Sequence, residues 1–193
     1  IGTQMVAKGL DFDNVSLIGV INADTLLNYP DFRAFERSYQ LLAQVAGRAG
    51  RRDKQGKVCI QAYDDSHRII KQVVANDYAQ MYADEMAERK QFNYPPFTRL
   101  IFINVKHKEA NVLNLAAQTL ANSLKAQLGN RILGPEQPLV ARIRNYYIKQ
   151  IIIKTEKNIA IQKVKTILKD TIKDFNAQKE FKSVITQIDV DPY

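Results

Sequence analysis

The spacing of apolar residues predicts alternating strands and helices in the first part of the chain. Apolar runs at residues 15–21 and 57–62 are typical of buried strands. Between them, apolar residues recur in steps of three and four from Phe32 to Ala46, which predicts a helix that continues into residues 44–51. Because strand, helix and strand follow one another, we expect the two strands to pair in parallel.

A second helical pattern begins at Ser66 and carries the chain to a proline-rich segment. The Asn-Asp pair at residues 76–77 should interrupt it, since aspartate caps helices well and propagates them poorly. The helix should end near Phe92, because Pro95 and Pro96 cannot continue a helix. The predicted organisation is a first domain, a connecting helix with its proline linker, and a second domain, at residues 1–75, 76–98 and 99–193.

The pattern from residue 99 onward predicts the order β-α-β-β-α-β. Helices are expected near residues 113–124 and 158–175. Strands are expected at residues 100–105, 132–133, 139–143, 147–154 and 183–190, with breaks at Gly134-Pro135 and Pro138. This order is the split β-α-β arrangement of ferredoxin-like domains. The predicted fold class is therefore α/β with a parallel sheet in the first domain, followed by α+β in the second.

Composition and charge narrow the class of protein. The 193 residues are 46% hydrophobic, which suffices for one core or two small ones. No apolar stretch approaches the roughly 18 residues of a membrane span. Residues 1–98 carry 12 basic and 12 acidic side chains, whereas residues 99–193 carry 16 and 8, so the net charge of +8 belongs to the second domain. This asymmetry favours a polyanionic partner, most simply nucleic acid, and the alternative is a basic domain without phosphate contacts.

Cysteine and histidine form no reactive cluster in the sequence. Cys59 lies in the second predicted strand and is expected to be a small buried residue, which fits a reducing compartment. His67 and His107 have neither metal-ligand spacing nor a nucleophile partner. We therefore interpret both as surface residues and predict no metal site.

Residues 44–51, Gln-Val-Ala-Gly-Arg-Ala-Gly-Arg, group a glutamine with two arginines. Arg48 and Arg51 follow Gln44 by four and seven residues, so a continuing helix would place the three side chains on one face. Arginine binds phosphate through a planar fork of donors that keeps its charge. The grouping favours an anion site, and the alternative is a solvated basic helix end.

The opening segment places a Gly-Thr turn and a Gly-x-Asp loop ahead of the first strand. Gly9 permits close backbone approach, and the Asp11 carboxylate accepts hydrogen bonds from hydroxyls, as the nucleotide edge of a parallel α/β sheet requires. The alternatives are a simple turn-forming role for Asp11 and a helix cap for Thr3.

The two motifs together resemble a known helicase signature. Gly-Thr-(x)5-Gly-x-Asp and Gln-x-x-Gly-Arg-x-Gly-Arg are similar to motifs V and VI of superfamily 2 helicases. With Asn22-Ala23-Asp24, Tyr-Pro-Asp-Phe-Arg at residues 29–33, Tyr-Pro-Pro-Phe at 94–97 and the Asp-Val-Asp-Pro ending, the chain resembles the primosomal protein N′ (PriA) family of bacterial replication-restart helicases. The resemblance runs from end to end.

This resemblance implies the C-terminal fragment of an ATP-dependent 3′→5′ DNA helicase that restarts stalled replication forks. The first domain would be the end of a second RecA-like lobe, and the start at Ile1, inside an expected strand, agrees with a fragment. The implied cofactors are ATP and Mg²⁺ in the complete protein, with zinc in an insertion outside this chain. The implied roles are an arginine finger for Arg51 with Arg48 beside it, orientation for Gln44, nucleotide contact for Gly9 and Asp11, and DNA contact for Thr3 and Lys8.

Two alternatives stay open at this point. One is a non-catalytic nucleic-acid or protein-interaction module formed by residues 99–193. The other is a superfamily 2 helicase of the fork-reversal type, against which the Tyr-Pro-Pro-Phe linker and the Asp-Val-Asp-Pro ending argue.

Residues 142–149, Arg-Ile-Arg-Asn-Tyr-Tyr-Ile-Lys, interleave cations with aromatic rings. This composition is expected where bases stack and phosphates are neutralised. Strand alternation would place Arg142 and Arg144 on one face, with Tyr146 and Lys149 as further DNA contacts. Packing of the tyrosines within the fold is the alternative.

The last helix carries two sets of polar residues. A row at i, i+4 spacing, interpreted as a solvated face, comprises Lys165, Lys169 and Lys173. Members of the family bind the acidic, apolar-ended tail of single-stranded DNA-binding protein, and we place that docking site at Lys157, Gln162 and Lys163 near the helix start. Surface lysines without a partner are the alternative. The resemblance also implies branched and single-stranded DNA and other primosome proteins as partners, in the bacterial cytoplasm.

Overall fold

The computed structural model describes residues 16–47, 49 and 56–192. The strands are β1 (Leu17–Val20), β2 (Lys57–Ile60), β3 (Thr98–His107), β4 (Ile132–Glu136), β5 (Arg142–Ile143), β6 (Tyr146–Glu156) and β7 (Ile185–Val190). The helices are α1 (Asp24–Leu27), α2 (Ala34–Ala46), α3 (Arg68–Ala75), α4 (Tyr78–Gln91), α5 (Ala110–Leu128) and α6 (Ile161–Ala177). The chain divides into two compact units between Glu88 and Arg89.

The first unit is built on the parallel pair β1 and β2. Leu17 lies opposite Lys57 and Val20 opposite Ile60, which confirms the predicted parallel pairing. The helices pack on one face of this pair and bury a core there. The core comprises Leu27, Tyr39, Leu42, Ile69, Ile70, Val73 and Met81.

The other face of this pair is not covered by the residues that the structure describes. Leu17 is 61% exposed, and the Cys59 thiol is exposed as well. The predictions of two buried strands and of a buried Cys59 are therefore wrong. Successive strand side chains point to opposite faces, and only the side with Val20 and Ile60 packs against the helical core.

Helix α2 ends earlier than its apolar pattern predicts. Gly47 is its C-cap, and the N–H of Ala49 donates to the carbonyl of Ala46 at 3.2 Å. Glycine is a poor residue for a helix interior and a common one at its end, so α2 stops inside residues 44–51, the segment into which its apolar pattern leads. Arg48 and Arg51 lie outside the described residues, so the shared face with Gln44 stays a prediction.

The break between α3 and α4 is confirmed at the predicted place. Asn76 takes a left-handed conformation with φ 53° at the end of α3. The Asp77 carboxylate then accepts the N–H of Gln80 at 2.9 Å, which caps α4. Helix α4 ends at Gln91, next to the predicted end at Phe92.

The second unit is an antiparallel sheet with α5 and α6 packed on one face. The strand order is β4-β6-β3-β7, and β5 pairs with β6. The face toward the helices carries fully buried side chains from the central strands, Ile101, Ile103, Val105, Ile151 and Ile153. The helices contribute Leu113, Leu120, Leu124, Val164, Leu168 and Phe175 to the same core. The chain is thus a mixed α/β protein with one small parallel and one antiparallel sheet.

Two strand predictions in this unit are wrong in their bounds. β4 passes through Gly134 and Pro135, where the sequence predicts a break, and β5 covers only two residues of the predicted 139–143. Gly134 has φ +87°, and an added Cβ would lie 2.8 Å from the Gln150 carbonyl oxygen. The glycine therefore keeps the strand in the sheet at an irregular register instead of ending it.

The histidines are structural in this fold. His107 is only 8% exposed, its Nε2 lies 3.1 Å from Ser183 Oγ, and its Nδ1 lies 3.0 Å from the Glu109 nitrogen. His67 accepts the N–H of Ile69 at 3.2 Å as the N-cap of α3. The interpretation of His107 as a surface residue is therefore wrong. Among the described residues, no helix combines the length and apolar character needed to cross a membrane.

Candidate functional site

Most residues predicted to contact nucleotide or the DNA backbone in the first unit lie outside the described residues: Thr3, Lys8, Gly9, Asp11, Arg48 and Arg51. Gln44 is described, and its exposed side chain lies in the last turn of α2. It borders an open cavity of about 1050 Å³ that Thr25, Arg37 and Tyr78 also line. Its amide can both donate and accept hydrogen bonds there.

The arginine that borders this cavity is held by a carboxylate. Arg37 Nη1 donates to Asp31 Oδ2 at 2.8 Å, and Asp31 Oδ1 accepts the backbone N–H of Arg33 at 2.9 Å. The charge of Arg37 is therefore already compensated.

The loops after β1 and β2 are tied together at the carboxyl ends of the parallel strands. Asp24 accepts the N–H of Tyr63 at 2.9 Å, and the N–H of Ala23 donates to the Gln61 carbonyl at 2.9 Å. Ligands of parallel α/β sheets bind at this edge. Ala23 and Asp24 of the Asn-Ala-Asp motif thus connect the two loops at this edge.

The cation-rich segment 142–149 forms a β-hairpin. Arg142 lies opposite Tyr147 and Ile143 opposite Tyr146, with Arg144 and Asn145 as the turn. Arg144 has φ 55°, a left-handed conformation. The prediction that Arg142 and Arg144 share one strand face is therefore wrong, because the strand stops after Ile143 and Arg144 projects from the turn.

Each tyrosine ring of the hairpin is in contact with a cationic side chain. The Arg142 guanidinium lies 4.8 Å from the centroid of the Tyr147 ring, and Lys108 Nζ lies 5.7 Å from that of Tyr146. Such contacts hold long side chains in place at the surface. Lys108 was absent from the sequence predictions. The signal for it is the basic run at the end of β3, which the antiparallel register brings beside Tyr147.

The predicted DNA contacts of this hairpin divide between its two faces. Directly opposed residues of an antiparallel pair point the same way. Lys149 lies opposite Val105, so it shares the helix side of the sheet with Tyr147. Tyr146 and its partner Lys108 lie on the other side. Arg142 and Arg144 are exposed, whereas Tyr146, Tyr147 and Lys149 are half-buried.

The predicted partner-binding residues gather at the start of α6. Lys157 lies in the turn after β6, and Gln162 and Lys163 belong to the first turn of α6; all three are exposed. The neighbouring Glu156 is bound by Arg131, with Nε to Oε2 at 2.7 Å, and these hydrogen bonds lower the pKa of Glu156. Its negative charge is therefore compensated, and the helix start keeps a positive potential.

A further lysine secures the proline linker to the sheet. Lys154 Nζ lies 3.6 Å from the centroid of the Tyr94 ring and donates to the Phe92 carbonyl at 2.8 Å. Burial lowers the pKa of Lys154. Thr98 Oγ1 also donates to the Asn93 carbonyl at 2.8 Å. Sequence reasoning missed this clamp, because its partners are some sixty residues apart.

Comparisons with known proteins identify related sequences. The family described as Primosomal protein N C-terminal domain matches residues 90–193. Replication restart protein PriA of Bacillus subtilis is 43% identical over 100% of this chain and 24% of its own length. The proteins of that name from Synechocystis and Treponema pallidum are 35% and 38% identical, again over 100% of this chain, and the match covers 22% and 29% of their lengths. The chain thus spans about a quarter of the curated relatives it matches.

Proposed function

The chain belongs to the PriA family, whose relatives are named replication restart proteins, and from this premise we propose that it is the C-terminal part of an ATP-dependent 3′→5′ DNA helicase acting at stalled forks. The observation that carries the proposal is the match over 100% of the chain to replication restart proteins. A fork-reversal helicase is the weaker candidate, since the relatives carry the restart name.

We propose that the first unit is the end of a second RecA-like lobe and that the second is a ferredoxin-like accessory domain, with residues 76–98 connecting them. The parallel pair β1 and β2 with its helices supports the first assignment. The strand order β4-β6-β3-β7 under two helices supports the second.

In the complete protein, ATP and Mg²⁺ would supply phosphoryl-transfer chemistry. Arg51, with Arg48 and Gln44 near it, would stabilise negative charge, while Gly9 and Asp11 would bind the nucleotide. Zinc belongs to a segment outside this chain. Because the lobe that binds the triphosphate is also outside it, the chain alone should not hydrolyse ATP. ATP turnover that persists through rigorous purification would contradict this division of labour.

DNA contact is proposed for the hairpin of the second unit. Arg142 and Arg144 are exposed, and no ion pair within 4.0 Å engages either among the residues that the structure describes. Phosphates can therefore reach both cations, and a base can stack on the Arg142 and Tyr147 pair. Thr3 and Lys8 would add backbone contacts from the first unit.

Salt titration of duplex binding tests this proposal. The logarithm of affinity should fall with the logarithm of salt concentration by about 0.9 for each phosphate contact. Replacing Arg142 and Arg144 with alanine should lower that slope by about 1.8. The matched control is alanine at Lys125 and Lys179, which removes the same charge from exposed positions elsewhere in this unit. Equal slopes for both double variants would mean that the hairpin does not bind DNA.

A non-catalytic interaction module remains the second candidate function. The supporting observation is that the excess positive charge lies entirely in residues 99–193, with 16 basic and 8 acidic side chains. The discriminating experiment joins the missing lobe to this chain and measures ATP hydrolysis with and without DNA. DNA-stimulated hydrolysis supports the helicase, and DNA binding without hydrolysis supports the module.

We also propose that the tail of single-stranded DNA-binding protein docks at Lys157, Gln162 and Lys163. Two lysines and the start of α6 offer donors to a terminal carboxylate. Calorimetry with a tail peptide tests this: glutamate at both lysines should abolish binding, and unchanged binding would put the site elsewhere. Other primosome proteins and a cytoplasmic location complete the proposal.

A further inference from the structure

A groove runs between α6 and the edge strand β7, away from the hairpin. Its volume is about 430 Å³. The floor is apolar, with Leu168 and Ile172 from α6 and with Ile188 and Val190 from β7. Ile188 is 44% and Val190 41% exposed, so the floor is open to solvent in the described part of the chain. Exposed apolar surface of this kind is typical of binding sites.

A row of lysines borders the groove. Lys165, Lys169 and Lys173 all line it and are exposed, as the interpretation of the row as a solvated face predicts. In the described part of the chain, none of them forms an ion pair within 4.0 Å. The helical rise of 1.5 Å per residue spreads the row over about 12 Å. The groove therefore joins an apolar floor to a line of unpaired positive charge.

Strand β7 presents an open backbone edge along this groove. It pairs with β3 on one side, and the described residues provide no strand on the other. The N–H of Asp191 donates to the Leu100 carbonyl at 2.8 Å, so Asp191 points its backbone groups toward β3. By the alternation of an antiparallel pair, the N–H and C=O groups of Ile188 and Val190 point outward. An edge with exposed apolar side chains is a template for strand addition.

We propose that this groove binds an extended segment of a partner protein, which adds to β7 as a further strand. The segment has a short apolar stretch between acidic residues. Its apolar side chains cover Ile188 and Val190, and its carboxylates pair with the lysine row. At about 3.3 Å per residue, some four residues of the added strand span the 12 Å of the row. This recognition needs no terminal carboxylate, unlike docking at the start of α6.

Charge complementarity selects this occupant over two others. A second copy of the chain would bring one lysine row and a net charge of +8 against another of the same sign. Nucleic acid would satisfy the lysines but leave the apolar floor without apolar contacts. An acidic segment with a central apolar stretch satisfies both features at once.

The test uses the 193-residue chain and one synthetic probe. The probe is an eleven-residue peptide with blocked ends, in which Ile-Val-Ile is flanked on each side by four aspartates. Titration should show saturable binding, and hydrogen exchange should slow at the amides of Ile188 and Val190. Reversing the three lysines to glutamate should weaken binding at least tenfold, since each pair is lost and replaced by repulsion. The matched control reverses Lys125, Lys179 and Lys182, which are exposed elsewhere in the unit, and should bind as the unaltered chain does.

A second probe isolates the backbone contribution. The same peptide with methyl groups on alternate backbone nitrogens keeps its side chains but cannot complete a β-ladder, so its binding should be lost. Equal binding of the first probe to both lysine variants, or no protection of Ile188 and Val190, overturns the proposal. Dimers of the chain that dissociate on Ile188→Asp identify a second copy as the occupant and also overturn it. Protection of these amides by duplex DNA assigns the groove to nucleic acid, with the same consequence.

Discussion

Replacement of Lys154 by methionine should release the proline linker from the sheet. The change keeps an apolar side chain of similar length but removes the ammonium, which lies 3.6 Å from the centroid of the Tyr94 ring and donates to the Phe92 carbonyl at 2.8 Å. A hydrogen bond from a charged donor contributes about 1.5 kcal/mol. A partly exposed cation-π contact adds about 0.5–1 kcal/mol. The desolvation that lowers the pKa of Lys154 offsets part of this, so we expect a net loss of about 1–2 kcal/mol.

Hydrogen exchange measures this loss at the linker itself. The N–H of Tyr94 donates to the Arg89 carbonyl. The N–H of Phe97 donates to the Tyr94 carbonyl across the two prolines. A loss of about 1–2 kcal/mol should accelerate exchange at both amides roughly 5- to 30-fold. Lys125→Met, at an exposed position of α5, is the control and should leave them unchanged. Unchanged exchange in Lys154→Met would refute the clamp.

The pH dependence of this effect has a definite sign. Because the pKa of Lys154 is lowered in the folded state, the unfolded state binds more protons between the two pKa values. Stability therefore rises as pH increases through the folded pKa, up to the ordinary lysine value of about 10.4, because the neutral amine avoids the desolvation cost and can still donate to the Phe92 carbonyl, which methionine cannot. The variant lacks this gain. Unfolding curves measured at neutral and at alkaline pH should show this rise in stability in the unaltered chain and not in Lys154→Met.

Three further outcomes are expected. Gly134→Ala should destabilise the second unit by about 2 kcal/mol in urea unfolding, because φ is +87° and the new Cβ would meet the Gln150 carbonyl at 2.8 Å; an unaffected midpoint would contradict the close approach. Arg131 holds the pKa of Glu156 below its ordinary range, so the unaltered chain should have a higher free energy of unfolding than Glu156→Gln above about pH 4.3. This difference should disappear as pH falls through the lowered pKa, and a difference that persists in acid would exclude the ion pair as its source. In the complete protein, Arg51→Ala should lower ATP hydrolysis by roughly 10³ with folding intact, and a near-normal rate would return Arg51 to a solvated role.

Local patterns in the sequence determined much of this protein. Apolar periodicity predicts the helices α2 to α6 but not the four-residue α1. The Asn-Asp pair predicts the break between α3 and α4, and the double proline predicts the end of α4. The helicase-like motifs and the ending predict the family, which the match at residues 90–193 confirms. These features succeed because capping, proline geometry and periodicity act between residues that are close in sequence.

Only the tertiary structure decided which residues meet. Pairing of β3 with β6 brings Lys108 near Tyr146, and the path of the proline linker brings Tyr94 to Lys154. The packing of α6 beside β7 places the exposed lysine row along a groove. The hairpin turn places Arg144 outside the strand that contains Arg142, although strand alternation predicts that both lie on one face. The physical reason is that periodicity assigns a side chain to a face of its own element. Strand pairing and helix packing, between residues far apart in the chain, determine what lies against that face.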